Sequence, residues 1–352
     1  MKINKHIVTL LAAAGTAAAV LGACGQKADT NTSGSKTTAS VSESVKASAS
    51  FPITVKHAYG ETVIKEQPKR VVTVAWENED APLALGIAPV GVSAANFGEM
   101  TANKLHPWAD EAFKKLGVTT PNVFNDTDGI DFEAVANAKP DVILASYSGI
   151  TQEDYDKLSK IAPVVAYPTK AWQTTWREQT IMNGTALGLE TEAKKLVADT
   201  EKLISDKLVA HPELKDKKAA FMMITPTDLS SFYVYLPTDP RAAYITDLGL
   251  SFPESLKKMS EGQQAFYITV SRENADKLKD VDLIVTYGDP ASLSAMQADP
   301  MLSQIPAIKN GAVAFISNNS AIAGGATPSI LSIPYNIDSY LTLLGNAAKN
   351  IK

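Results

Sequence analysis

The sequence has one cysteine, Cys24, in 352 residues. An internal disulfide and a thiolate zinc cluster are both excluded. Histidine is nearly as scarce: His6, His57, His106 and His211 are too few and too scattered for a metal cage. Positive charge is short as well. Lys and Arg number 33 against 38 Asp and Glu, for a net charge of −5, and removal of Lys2 and Lys5 with a leader would make the chain more acidic. Such a chain lacks the clustered cations that grip a phosphate backbone, so nucleic acid is not expected as a partner. No GxGxxG, GK[ST] phosphate loop, GxSxG or HExxH motif occurs, which removes the nucleotide-binding and hydrolase signatures they carry. The acidic stretch NDTDGIDFE fails as an EF-hand, because Phe124 and Val135 fall where the first and last calcium ligands belong. Its carboxylates, Asp126, Asp128 and Asp131, crowd one turn instead of facing each other across a cleft, which argues against a carboxylate-pair hydrolase.

The first segment is an export signal. Lys2, Lys5 and His6 precede an apolar run from Ile7 to Val20, then Leu21-Gly22-Ala23-Cys24. A basic start, a short apolar stretch and small residues before a cut site define a secretory leader, here residues 1–23. The run is shorter than the about 20 residues needed to span a membrane. Leu21 to Cys24 resembles a bacterial lipobox, in which the cysteine is diacylated (a palmitate-type anchor) and becomes the mature N-terminus. That would hold the protein on the outer face of the cytoplasmic membrane without making it a spanning protein. The rest of segment 24–50 is rich in Ser, Thr, Ala and Lys and has no aromatic residue, so it reads as a disordered tether.

From Phe51 onward, short apolar strands alternate with helical patterns, the mark of α/β layers with mainly parallel sheets. VVTVAW (71–76), DVILAS (141–146) and VVAY (164–167) are predicted strands, and strands resume near 219–225, 231–236, 283–287 and 312–317. Between the halves, Thr175 to Val209 contains no proline and keeps apolar residues at helical spacing, with Gly184 and Gly188 as the places where it could break. A continuous helix of that length would span roughly 50 Å. The halves also echo each other. Asp131-Phe132-Glu133 leads through a helix and Asp141 into VILAS and Tyr147, while Ser271-Arg272-Glu273 leads through a helix and Asp282 into LIVT and Tyr287. The expected organisation is a leader (1–23), a tether (24–50), an N-terminal lobe (51–173), a connecting helix (174–210) and a C-terminal lobe (211–352). Ligands of open parallel sheets sit beyond the carboxyl ends of the strands, which directs attention to the loops after Trp76, Ser93, Ser146, Tyr167, Leu236, Tyr287 and Ser317.

The lipobox, the tether, RVVTVAW…LALGIAPVGV, IDFEAVANAKPDVILASYSGI, the long helical segment and VSRENADKL–VDLIVTYG together resemble the substrate-binding lipoproteins of iron–siderophore and cobalamin ABC importers. The resemblance runs from about Arg70 to the C-terminus, and Ala138-Lys139-Pro140-Asp141 is its most specific block. It implies two Rossmann-like lobes joined by one long rigid α-helix, the class III periplasmic-binding-protein type. It also implies no catalysis and no intrinsic cofactor. SYSGITQEDYDKLSKIAPVVAYP with Trp172, Trp176 and Arg177 is similar to the ferric-hydroxamate branch. Expected partners are then a ferric siderophore, which itself holds the iron, the membrane permease and, indirectly, a cytoplasmic ATPase, with the protein acting as a monomer.

Aromatic residues gather at the predicted strand ends: Trp76, Phe97, Tyr147, Trp172, Trp176, Tyr233, Tyr235 and Tyr287. They offer rigid apolar surface with polar handles, suited to a bulky organic chelate, although each could equally be a packing residue. Tyr233 and Tyr235 share a strand face. Arg241, in LPTDPR, could donate to metal-bound oxygens or merely pair with Asp239 in a first turn; the resemblance assigns it to the ligand. Lys170 and Arg177 are the other cations near the expected rim. So few cations suit a near-neutral or cationic hydroxamate better than a tris-catecholate, and haem and cobalamin remain alternatives within the same role. Outside that role, a surface adhesin of the same fold is the other alternative. Glu133 and Glu273 fit helix first turns on macrodipole grounds alone; the resemblance implies that they dock with permease arginines. Ala323-Gly324-Gly325-Ala326 is expected to be a flexible cleft loop.

Overall fold

The computed structural model describes residues 49–126 and 128–352. The leader, Cys24 and nearly all of the tether lie outside the described residues. In the N-terminal lobe, Val71–Thr73, Val142–Ala145 and Val164–Ala166 pair in parallel in that order. Val92–Ser93 pairs in parallel with Val123–Phe124, and a bridge from Val72 to Gly91 joins the two sets. An antiparallel hairpin, Ile53–His57 with Gly60–Ile64, precedes them. The strands read as unbroken apolar runs because both faces are covered. Val72, Val74, Ile143 and Val164 enter one buried cluster, whereas Val71, Val142, Leu144 and Val165 enter another.

The C-terminal lobe holds one five-stranded sheet, in the order 267–271, 228–235, 219–225, 283–287, 313–316. Its last three strands are parallel and the first two pairings antiparallel, so the sheet is mixed. Alternation again separates the layers. Ala219 and Phe221 pack toward the long C-terminal helix Ser332–Ala348, while Ala220, Met222 and Ile224 pack on the opposite face.

Three expectations change. The connecting segment is two helices, Trp176–Ala186 and Glu190–Leu208, instead of one. The first opens with a capping box from Thr175 and Glu178. It ends where Gly188 takes a left-handed φ of 74° and the Leu189 N–H reaches back to the Gly184 carbonyl at 2.8 Å. Leu187 and Leu189 on either side of the break are fully buried, so the apolar spacing runs through the turn unchanged. The echo is uneven as well: Asp131 accepts the Ala134 N–H at 2.9 Å and caps a helix, whereas Arg272–Lys277 is a 3-10 helix with no side-chain cap from Ser271.

The third change concerns Ala323–Ala326, which is no flexible loop. Ala321–Gly325 is a short helix, with its two glycines buried. A Cβ on Gly324 would lie 2.5 Å from Cε1 of His106, and a Cβ on Gly98 would lie 2.5 Å from the Gly324 nitrogen. The glycines therefore let the C-terminal lobe touch the N-terminal lobe backbone to backbone.

A buried acid adds a second tie between the lobes. Asp80, fully buried in the short helix Asp80–Ala84, accepts from Trp108 Nε1 at 2.8 Å and from the Ser329 hydroxyl. Burial pushes its carboxyl up to about 7, against the pull of those two donors.

Gly324→Ala should lower stability by about 1–3 kcal/mol, the usual cost of overpacking, because His106 is wedged between rings and cannot withdraw; thermal unfolding of the variant measures it. Between about pH 4, where the unfolded aspartate titrates, and pH 7, the native state holds the Asp80 proton that the unfolded chain has released. Stability carried by this group therefore falls as pH rises through that window. Asp80→Asn keeps an acceptor for both donors, and the pH dependence of its melting temperature should be flatter than that of the parent.

Candidate functional site

Two cavities, of about 310 and 360 Å³, open at the carboxyl ends of the strands and share Trp76 and Trp172 as walls. Trp76 sits on a backbone held out of the ordinary regions: Ala75 and Glu77 have φ of 64° and 59°, and Trp172 has 61°. Such strain persists only where surrounding contacts enforce it. Here Asn78, fully buried, is the enforcer. Its amide donates to the carbonyls of Val74 (2.9 Å) and Tyr147 (2.8 Å), and its oxygen accepts from the Tyr147 N–H and the Ser146 hydroxyl. The first connecting helix grips the same segment, since Gln179 donates to the Glu77 carbonyl at 3.1 Å. Trp172 is seated by its N–H to Ser148 and by an edge contact with Tyr147, 5.4 Å between centroids. Gly149 leaves room for it: a Cβ there would fall 2.3 Å from Trp172 Nε1.

The larger cavity joins the lobes. Trp76, Phe97, Tyr147 and Trp172 come from the N-terminal side; Met223, Arg241, Phe266 and Tyr287 come from the C-terminal side. Tyr147 and Tyr287, the echoed tyrosines that follow matching strands, therefore meet in one cavity. Arg241 opens the helix Pro240–Asp247 and is held by a fork to Asp239, Nε to Oδ1 at 2.8 Å and Nη2 to Oδ2 at 2.7 Å. Its guanidinium also lies 3.9 Å over the Tyr235 ring. Burial opposes its charge, but the hydrogen bonds and charge of Asp239 outweigh that and hold it protonated. The first-turn pairing and a place on the cavity wall thus coexist. Among the described residues, Arg241 is the one cationic side chain lining either cavity.

Other candidates sit elsewhere. Trp176 is buried in the C-terminal core with its indole N–H on Asp247 at 3.1 Å, outside both cavities. Arg177 stacks on Trp176 and bridges Glu201 and Asp247, which ties the connecting helices to the C-terminal lobe. Tyr235 stands behind Arg241 as its platform, and Tyr233 lies outside against Tyr267, 41% exposed. Lys170 donates to Gln264, and Gln173 to the Gln264 carbonyl, and neither lines a cavity. Glu133 and Glu273 are both exposed and form no ion pair among the described residues.

The smaller cavity escapes the sequence reading. It is bordered by Glu77, Glu79, His106 and Asp126 beside the two tryptophans. Burial raises the carboxyls of Glu77 and Glu79 well above the usual range, with neighbouring acids adding to it, and raises that of Asp126 as well. His106, stacked on Trp108 at 4.5 Å, is pushed down to about 4 by burial and is neutral. The available signal was three acids, Glu77, Glu79 and Asp80, directly at a strand end. Their spacing does not mark a cavity wall, since acids also favour helix first turns.

The sequence profile of the family described as "Periplasmic binding protein" matches residues 71–319. The probable siderophore-binding lipoprotein YfiY of Bacillus subtilis (strain 168) is 30% identical over 256 residues, covering 70% of this chain and 71% of its own. The iron(3+)-hydroxamate-binding protein YxeB of the same organism is 27% identical over 74% of this chain and 76% of its own. The crystal structure of Streptococcus pneumoniae TIGR4 PiaA in complex with ferrichrome superposes with a TM-score of 0.82 at 52% identity, covering 85% of this chain and all of that one. Two lobes of α/β layers, a cleft at their strand ends and these likenesses agree: the chain belongs to the periplasmic binding protein family.

Proposed function

We propose that this protein is the extracytoplasmic substrate-binding lipoprotein of an ABC importer, capturing a ferric hydroxamate siderophore between its lobes and delivering it to the permease. The carrying observation is the larger cavity, walled by aromatic rings from both lobes with Arg241 as its one lining cation. A ferric hydroxamate has an apolar periphery and a metal-bound oxygen face with little net charge. Rings pack the first, and the guanidinium donates to the second. A tris-catecholate, with about three negative charges, would leave most of its charge unmatched in so weakly cationic a site. YxeB is named for iron(3+)-hydroxamate, and ferrichrome sits in the PiaA crystal structure, which supports the same ligand class. Binding here is reversible and makes or breaks no covalent bond. The name of YfiY, a probable siderophore-binding lipoprotein, supports attachment through diacylated Cys24. Glu133 and Glu273, exposed at matching places of the two lobes, are the proposed contacts to permease cations.

Titration of intrinsic tryptophan fluorescence with ferrichrome, a ferric catecholate, haem and cobalamin tests the ligand class; saturable quenching by the hydroxamate is expected. Arg241→Ala should weaken hydroxamate binding at least about tenfold, as expected for a lost hydrogen bond to a charged group. Trp176→Phe, outside the cavities, should leave the affinity within about twofold. The double variant Glu133→Ala, Glu273→Ala should bind ligand normally and fail in siderophore-dependent growth. If only a catecholate, haem or cobalamin quenches, the hydroxamate reading is wrong.

A further inference from the structure

The smaller cavity is a polar site in which several buried atoms lack a hydrogen-bond partner of normal geometry, although the Trp76 indole still draws the Glu77 carboxyl down a little against burial. Among the described residues, both carboxyl oxygens of Glu77, Oε2 of Glu79, Nε2 of His106, Oδ1 of Asp126 and Nε1 of Trp76 are buried and accept or donate no hydrogen bond of normal geometry. All five residues border this one cavity. Glu77, Glu79 and His106 are 2%, 4% and 1% exposed, so water outside cannot satisfy them.

Five of those six atoms are acceptors or carboxyl oxygens. His106 Nδ1 faces the Glu99 carbonyl at 3.1 Å and so carries the ring proton of the neutral imidazole, which leaves Nε2 as a bare lone pair. Asp126 already accepts from Ser93 through its other oxygen. The Trp76 face adds a π-surface, and no Lys or Arg borders the cavity. Acceptors, carboxyls that can ionise and an aromatic wall are what a compact cation with several N–H donors requires. A bare metal ion is a poorer fit, because among the described residues no three His, Cys, Asp or Glu side chains converge as a metal cage.

We infer that the smaller cavity receives a protonated primary amine carried on an arm of the ferric hydroxamate, so that the two cavities read one ligand, iron chelate in the larger and ammonium in the smaller. The inference rests on the hydroxamate reading of the larger cavity. Trp76 and Trp172, common to both cavities, lie beside the arm as it passes. In the ammonium's absence, burial keeps Glu77 and Glu79 protonated and spares the fold two naked charges. When the cation enters, a carboxyl releases its proton to solvent and the pair is charge-balanced.

The test compares ferrioxamine B, which ends in a free ammonium, with its N-acetyl derivative, in which the same chelate carries a neutral amide; ferrichrome is the control without an amine arm. With the intact parent protein, ferrioxamine B should bind at least about tenfold more tightly than the acetylated form. Glu79→Gln should erase that preference while leaving ferrichrome affinity within about twofold, and its melting curve reports whether it folds. Equal affinities for the two ferrioxamines in the parent protein, with ferrichrome still bound, would overturn the ammonium site and leave the hydroxamate reading standing. Failure of all three chelates to bind would overturn the hydroxamate reading, and the ammonium site with it.

Discussion

The side chain of Asn78 is the knot on which the cleft depends. Buried beyond the end of the strand Val71–Thr73, it saturates the backbone of the neighbouring strand end through the Tyr147 N–H and carbonyl, and it holds its own loop through Val74. Ser146, hydrogen-bonded to both Asn78 and Asn183, carries the link into the first connecting helix. Buried amide networks of this kind specify one geometry, because any slip leaves donors and acceptors unpaired in a low-dielectric interior. The left-handed residues Ala75 and Glu77 persist inside this frame, and they turn Trp76 toward both cavities.

Contacts between the lobes follow the same economy of space. Gly98 against Gly324, His106 against Gly324, and Ser329 on Asp80 join the lobes at backbone distance, and the paired connecting helices are tied to the C-terminal lobe by Arg177. Lys170 and Gln173 on Gln264 add a further polar contact between the lobes. A preformed cleft of this sort limits the ordering cost of binding.

Charge is distributed with the same restraint. The larger cavity holds one arginine whose fork is already half spent on Asp239, and the smaller one holds acids kept neutral by burial. Neither cavity therefore carries a large uncompensated charge, and the acids of the smaller one can ionise when a cation arrives. That suits a ligand whose recognition is divided between a nearly neutral chelate and a distinct polar arm.

Much of this was legible in the chain. The apolar runs at 71–76, 141–146 and 283–287 fall on strands because parallel strands buried on both faces need no alternation. The strand-end rule brought Trp76, Phe97, Tyr147, Trp172, Arg241 and Tyr287 to one cavity. The break at Gly188 was not decided by spacing, since a glycine in a periodic helix costs only about 1 kcal/mol and leaves the pattern intact. Trp176 and Tyr233 fall outside both cavities, because an aromatic near a strand end or helix start serves core, surface or cleft equally well, and the choice rests on the angle at which its element packs. The acidic cavity was invisible for the same reason. Glu77 and Glu79 share one loop, but His106 and Asp126 come from two others, and only the folded sheet order brings the three together. The sequence by itself determined the α/β layers, the candidate strand ends and the scarcity of cations, all of them properties of local pattern and composition. Which side chains share a cavity, and which acids are stripped of water, was decided by tertiary structure, because burial and convergence belong to packed surfaces and not to segments.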